Sequence, residues 1–362
     1  VPAGFYLVEH NLKSSQKRTS HACQVKEKAE HMLTIKPLAA AILIIISSQA
    51  FAEMNTAEVQ QVGTNNTGSL EQQGSGNYAY LQQDSQENSQ AEIFQNGTSN
   101  SGSVYQLQGS DNNADITQRG DSNNATVRIG ENGGGNTFGS SVSTYQEGNA
   151  NTLDITVTGY AAGVTTSSVG DNNSIRGEVT GGISGATLSQ VGNNNGIDVN
   201  LGSSSYASVN QAGNNNTASV SGSSYRMGNN STELTQSGDG NHANTYMGSQ
   251  FGKITLTQDG LGNQADIYSS GRSTTLSGST LGNNNTVDID QSVETGSAIF
   301  AQSGDENILN IAQQGFVDNF TANATQLGVA NHANITQGSE LNGASAVVTQ
   351  SGNNNAATII QR

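Results

Sequence analysis

A single cysteine, Cys23, excludes an internal disulfide framework. Tryptophan is absent and aromatic residues make up only 5% of the chain. Charged residues are 12%, and the acidic ones outnumber the basic ones 29 to 13. That balance argues against binding nucleic acid by phosphate neutralisation. The only prolines are Pro2 and Pro37, so from there on no residue lacks the N–H that strand pairing needs. Leu, Ile, Val and Phe are too few for a large conventional core. Gly, Asn, Ser, Thr and Gln dominate instead. Such a composition reads as disorder, unless repetition stacks a thin core into a continuous one.

The beginning of the chain differs from the rest. MLTIKPLAAAILIIISSQAFA, from Met32, has the layout of a secretory signal peptide over 32–52. Lys36 gives the positive start, Leu38 to Ile46 the apolar run, and Ala50-Phe51-Ala52 the cleavage site. The run is too short for an ordinary membrane span. Residues 1–31 are basic and share no pattern with the remainder of the chain; they read as a non-native upstream extension. Cutting after Ala52 removes six of the 13 basic and three of the 29 acidic residues, which leaves seven and 26 and a net charge of −19. A short segment, 53–60, then leads into the repeats, assigned to 61–362.

The repeat is Q-x-G-x-x-N-x-A-x-x-x-Q. Its glycines recur at 148, 170, 192, 213, 238, 260, 282, 304, 328 and 352, in steps of 21 to 25 residues. Before residue 130 it also recurs at half-steps, through Gly63, Gly74, Gly97, Gly109 and Gly120, with Ser85 in the missing place. The unit is therefore about 22 residues in two similar halves. Each half reads as a turn and then a strand. Gly and Asn tolerate the left-handed backbone of tight turns. The residues after the turn alternate: Ile197, Val199 and Leu201, or Ser205, Ala207, Val209 and Gln211, fall on one face. The expected fold is all-β, a two-sheet β-solenoid of stacked strand-turn-strand-turn units with cross-β geometry. Residues 61–362 give about 14 rungs, a rod of roughly 65 Å at ~4.8 Å per rung.

A polar residue on a buried face needs partners. Amides in the same slot of successive rungs donate to and accept from one another along the stack. The expected ladder positions are Gln190, Asn195, Gln211, Asn216, Gln258, Asn263, Asn285, Gln291, Gln302, Asn307, Gln313, Gln337, Gln350, Asn355 and Gln361. The expected turn glycines are Gly170, Gly192, Gly213, Gly238, Gly260, Gly282, Gly304, Gly328 and Gly352. Two irregularities stand out. GENGGGNTFG at 130–139 reads as a loop, and Gly228-NN-Ser231-T-Glu233 puts an acid in the Ala slot.

The pattern runs from near residue 61 to Gln361 with no capping unit, and open strand edges invite another copy. The phrase S-x5-Q-x-G-x-x-N-x-A-x3-Q resembles the curlin repeat of bacterial curli fibres. Ser205, Gln211, Gly213, Asn216 and Ala218 match it, with Gly222 in the last Gln slot; Ser184, Gln190, Gly192 and Asn195 match as well. The resemblance implies a secreted, extracellular subunit of amyloid fibres on a Gram-negative bacterium, serving adhesion and biofilm. It implies self-association into fibres, a nucleating minor subunit, an outer-membrane secretion pore, and host or abiotic surfaces as targets. The chain carries far more units than the family's usual subunits.

Nothing in the sequence points to catalysis, a cofactor or a metal. His242 and His332 occupy the same N-H-A slot, 90 residues apart, on the outward face. No GxSxG or P-loop occurs. Acids beside inward positions, Asp115, Asp198, Asp266, Asp288 and Asp290, read as gatekeepers against premature aggregation. The rival reading is a soluble, monomeric solenoid adhesin or ligand-binding rod. A polysaccharide-cleaving β-helix is a third, with no carboxylate cluster to support it.

Overall fold

The computed structural model describes residues 43–45, 54–130, 137–223, 228–315, 319–338 and 343–362. The chain divides into units 1–38 and 39–362, and every described residue lies in the second. The expected upstream extension and most of the expected signal peptide fall outside the described residues, as does most of the 130–139 loop.

Among the described residues there are 27 strands and no helix. Every pairing is parallel, and nearly every strand pairs with the strand two before and two after it. That is the topology of a coil: one strand per sheet per turn, and each turn laid on the last. One sheet runs from Thr56–Thr64 to Ala356–Gln361, and the other from Thr67–Ser75 to Ser345–Ser351. The β-solenoid has about 13 turns. The estimate of about 14 rungs counts the strand 356–361, which opens a further turn. At Gln264–Leu281 and Thr286–Ser303 the two sheets merge, because an 18-residue strand bends through the corner without a break.

The alternation of the sequence becomes the alternation of burial. In Ser205–Ala212 the residues are buried and exposed in strict turn. Inward residues from both sheets meet in one continuous core, built from small side chains such as Ala207, Val209, Ala218 and Val220. With so thin a core, burial alone is modest, at about 25 cal/mol per Å² of apolar surface. Backbone pairing and the side-chain ladders carry much of the specificity.

The structure corrects three local readings. Strand pairing begins before residue 61: Thr56–Thr64 already lies on Tyr78–Glu87, so 56–60 belong to the first turn. Ser85 does not take a glycine's place. It is an extra, bulged residue with φ +57°, and Gln86 stands beside Gly63 and Gly109 in the stack. Glu233 is not in the Ala slot either. Asn230 stacks on Ser205 and Thr232 on Ala207, which turns Glu233 outward and leaves no charge in the core. Burying that carboxylate unpaired would cost several kcal/mol, and the register avoids it.

Candidate functional site

The first feature is the corner that precedes each strand of the 56–361 sheet. Asn55 begins a column that passes through Asn77, Asn100, Asn123, Asn151, Asn173, Asn195, Asn216, Asn241, Asn263, Asn285, Asn307 and Asn331 to Asn355. Each Oδ1 accepts the backbone N–H of the next Asn, at 2.9–3.0 Å for Asn195, Asn216, Asn263, Asn285 and Asn307. Each Nδ2 reaches the next turn: Asn195 donates to Gly213 O, Asn263 to Gly282 O and Asn285 to Gly304 O, all at 2.7 Å. Asn ladders of this kind satisfy every buried amide with copies of itself.

Glycine makes that reach workable. Gly170, Gly192, Gly213, Gly238, Gly260, Gly282, Gly304, Gly328 and Gly352 have φ between +100° and +124°. From Gly170 to Gly328, a Cβ would lie only 1.9–2.1 Å from the carbonyl oxygen of the next glycine in the stack. The same carbonyl accepts the Asn Nδ2. At Gly352 no such oxygen is near, and Asn355 Nδ2 at 3.5 Å is the one contact. Two residues after each glycine the backbone turns left-handed, as at Asn194 (φ +57°) and Asn284 (φ +53°). Asn suits this conformation; Glu306 and Ala330 adopt it too.

Glutamine forms two further columns. In the 67–351 sheet, Gln190 Nε2 donates to Gln211 Oε1 at 3.0 Å, Gln211 to Gln236 at 2.8 Å and Gln236 to Gln258 at 2.8 Å. Gln302 donates to Gln326 and Gln326 to Gln350, both at 2.9 Å. In the other sheet, Gln291, Gln313, Gln337 and Gln361 are linked at 2.8–2.9 Å. Most of these Nε2 groups also donate to a backbone carbonyl of the opposite sheet, as Gln258 does to His242 O at 3.0 Å. Both Gln columns therefore have one polarity, the Gln of one rung giving a proton to the Gln of the next. In the Asn column, by contrast, Nδ2 donates back to the Oδ1 of the preceding Asn, as at Asn263 and Asn285.

Polarity makes defects easy to find. Ser168 and Thr280 stand in the Gln column. Neither side chain reaches the next rung, so Gln190 Oε1 and Gln302 Oε1 are buried without a partner, as is Thr280 Oγ1. In the opposite sheet the Gln column is interrupted for longer. Ile129, Val157, Val179, Leu201, Gly222, Met247 and Ser269 fill it between Gln106 and Gln291. Replacing Thr280 by Gln should restore both bonds, since Gln258 and Gln302 on either side show that the slot holds an amide. We expect the Thr280→Gln protein to gain about 1–2 kcal/mol, read as a higher guanidinium midpoint. No gain, or a loss, would show that the slot is too tight in this rung.

Several ladder members escaped the sequence reading although they carry the same G-x-x-N signal: Asn100, Asn123, Asn151, Asn173, Asn241 and Asn331, with Gln95, Gln118, Gln146, Gln236 and Gln326.

The outward faces bear the charge. Asp266 and Asp288 face each other across neighbouring strands, with Asp290 two residues on. Burial, then Asp266 and Asp290, raise the Asp288 carboxyl above its ordinary 3.8. Burial and Glu92 do the same to Asp115. The folded Asp288 thus holds its proton more tightly than the unfolded chain does. Stability should rise as pH falls through the raised value toward 3.8. Asp288→Asn should be more stable at neutral pH and show a flatter profile in that window. An unchanged slope of denaturation midpoint against pH would sink this assignment. Tyr246 and Tyr268 stack beside these acids, rings 8° from parallel with centroids 4.9 Å apart. His242 and His332 are both exposed, on separate strands. Among the described residues no three His, Cys, Asp or Glu converge on a metal-sized site.

The Asn column presents the same backbone bond, in the same direction, at every turn, and the Gln columns repeat theirs wherever Gln fills the slot. A family model for the curlin-associated repeat matches residues 55–84, 87–118 and 109–139. No curated protein matches the chain. The turns after residue 139 continue the strand pairing and the Asn and Gly columns of those before it. Residues 55–139 thus carry curlin-associated repeats, and the parallel coil that they begin runs on to residue 361.

Proposed function

We propose that this protein is a curli-type structural subunit whose copies stack head to tail into a secreted, amyloid-like fibre for adhesion and biofilm matrix. The observation that carries the reading is the polarity of the Gln ladders. At the 356–361 edge, Gln350 and Gln361 each spend one Nε2 proton on a backbone carbonyl, His332 O and Ser345 O, and aim the ladder donor outward. At the 56–64 edge, Gln61 Oε1 is buried with no donor. Laying Thr56–Thr64 of one copy on Ala356–Gln361 of another puts Ala57 on Ala357, Val59 on Ile359 and Gln61 on Gln361. The other sheet then matches Leu70 with Val348 and Gln72 with Gln350. Contacts of this heterologous, non-closing kind make filaments.

One strand stands in the way. Leu43–Ile45 runs parallel to Gly68–Leu70, on the edge that the incoming copy would use. It lies in the segment read as a signal peptide, so cleavage after Ala52 would free the edge. Export through an outer-membrane pore and seeding by a minor subunit follow from the family and belong to this proposal. So does the extracellular location.

The test is assembly of residues 53–362 after dilution from denaturant at micromolar concentration. Thioflavin-positive fibres that grow faster with seeds, and that diffract at 4.7–4.8 Å along the fibre, are the expected result. Monodisperse, β-rich monomers would overturn the reading in favour of a soluble rod.

A further inference from the structure

Over residues 264–351 the two outer faces of the rod differ in charge. Four successive strands of one sheet, spanning 275–281, 297–303, 321–327 and 345–351, have no charged residue among their outward positions. Those positions are mostly Ser and Thr. Among them Leu281, Ile299, Leu327 and Val347 stand 51%, 49%, 44% and 63% exposed. On the opposite sheet the first two of these turns carry Asp266, Asp288 and Asp290. Over these four turns one side is thus neutral and partly apolar while the other bears the acids; earlier strands of the same sheet carry outward charges such as Glu233, Lys253 and Asp259.

We propose that this neutral face is a lateral interface that pairs with the same face of a second copy in a neighbouring fibre. A strongly acidic protein repels its own copies over most of its surface. Here two copies meet without opposing charge and cover side chains that water otherwise wets. A flat β face of hydroxyls and β-branched residues suits sheet-on-sheet packing, about 10 Å apart. A charged partner finds nothing on it to select.

The area sets the stage at which pairing occurs. Four strands spaced ~4.8 Å apart and some seven residues long offer roughly 440 Å² per copy. A pair of copies then buries about 900 Å², below the roughly 1,200 Å² typical of stable complexes. Free monomers should therefore remain single. Two stacked rods repeat the patch with every subunit, and the contacts add through effective concentration. The inference thus rests on head-to-tail stacking.

The experiment compares fibres of residues 53–362 with Ile299→Lys/Val347→Lys and Asp288→Lys fibres, by mass per length in electron microscopy. All substituted side chains point outward, so the core and ladders are untouched. Unaltered fibres should show twice the mass per length of a single file. The Ile299→Lys/Val347→Lys fibres should fall to the single-file value while growing at an unchanged rate. Asp288→Lys should stay paired. Single-file unaltered fibres, or pairing that survives the double substitution, would overturn the lateral interface and leave head-to-tail stacking standing. If no fibres form, stacking itself fails, and with it the lateral interface between fibres.

Discussion

Gly260→Ala should destabilise the solenoid by about 3 kcal/mol or more, among the largest effects of any single methyl group in this chain. Two costs combine. Gly260 has φ +124°, a conformation that side chains rarely adopt, and holding it there costs of order 1–3 kcal/mol. The new Cβ would also lie 2.0 Å from Gly282 O. Relief requires the turn to move away from its neighbour, yet Gly282 O is the acceptor for Asn263 Nδ2 at 2.7 Å. The methyl therefore costs the Asn column a bond as well. Two other glycines separate the contributions. Gly343 has φ +72° with nothing within 4 Å of a Cβ, so Gly343→Ala should show the conformational cost alone. Gly352→Ala should behave alike, since its contact is 3.5 Å away. In a repeat protein damage stays local, because each turn touches only its neighbours. Hydrogen exchange should reveal lost protection in 253–261 and 275–281, with 152–158 unchanged. Equal effects at positions 260 and 343 would show that the close carbonyl does not matter.

Much of this fold is legible in the sequence because its signals are redundant. A single G-x-x-N is weak, but ten glycines in steps of 21–25 residues leave few alternatives. Alternation such as Ala207, Val209, Gln211 then fixes which face turns inward. The pattern does not reveal whatever depends on an extra residue. Ser85 looks like a substituted glycine until its φ of +57° and the shifted partners of Gln86 identify a bulge. Glu233 looks inward because Gly228-NN-Ser231 imitates the corner phrase. The pairing of Asn230 with Ser205 shows instead that the strand starts one residue earlier. Ladder defects are a third kind of blind spot. Ser168 and Thr280 are ordinary residues in a Ser/Thr-rich chain. They become defects only when the column on either side is known to be Gln and the bonds to share one direction. The long apolar stretch from Ile129 to Met247 in the opposite column has the same character: each residue fits an inward slot, so periodicity alone does not register the lost amides.

The second large effect should come from Asn263. Its side chain makes four short hydrogen bonds, besides a long one from Nδ2 to Asp259 O at 3.4 Å. Oδ1 accepts from the backbone N–H and Nδ2 of Asn285, both at 3.0 Å. Nδ2 donates to Asn241 Oδ1 at 3.1 Å and to Gly282 O at 2.7 Å. The residue is fully buried, so water does not replace what is lost. Asn263→Ala leaves the Asn285 N–H without an acceptor, and a buried orphan of this sort costs about 1–3 kcal/mol beyond the lost bonds. We expect a loss of about 3 kcal/mol in all. Asn263→Asp should be worse at neutral pH, although it is nearly the same shape. A carboxylate still accepts from Asn285, but it faces Asn241 Oδ1 and Gly282 O with no proton to offer. Acid should rescue it, because the protonated carboxyl regains one donor; the denaturation midpoint of this variant should rise as pH falls through the carboxylate range, where that of Asn263→Ala should not. Asn200 gives the reference: it is exposed on the outer face, and Asn200→Ala should stay within about 0.5 kcal/mol. The comparison also bears on assembly, since a fibre would use the same bonds between copies as within one. If Asn263→Ala weakens the rod while Asn355→Ala leaves both the rod and its elongation intact, the Asn column would hold turns together inside the chain and have no part in joining one chain to the next.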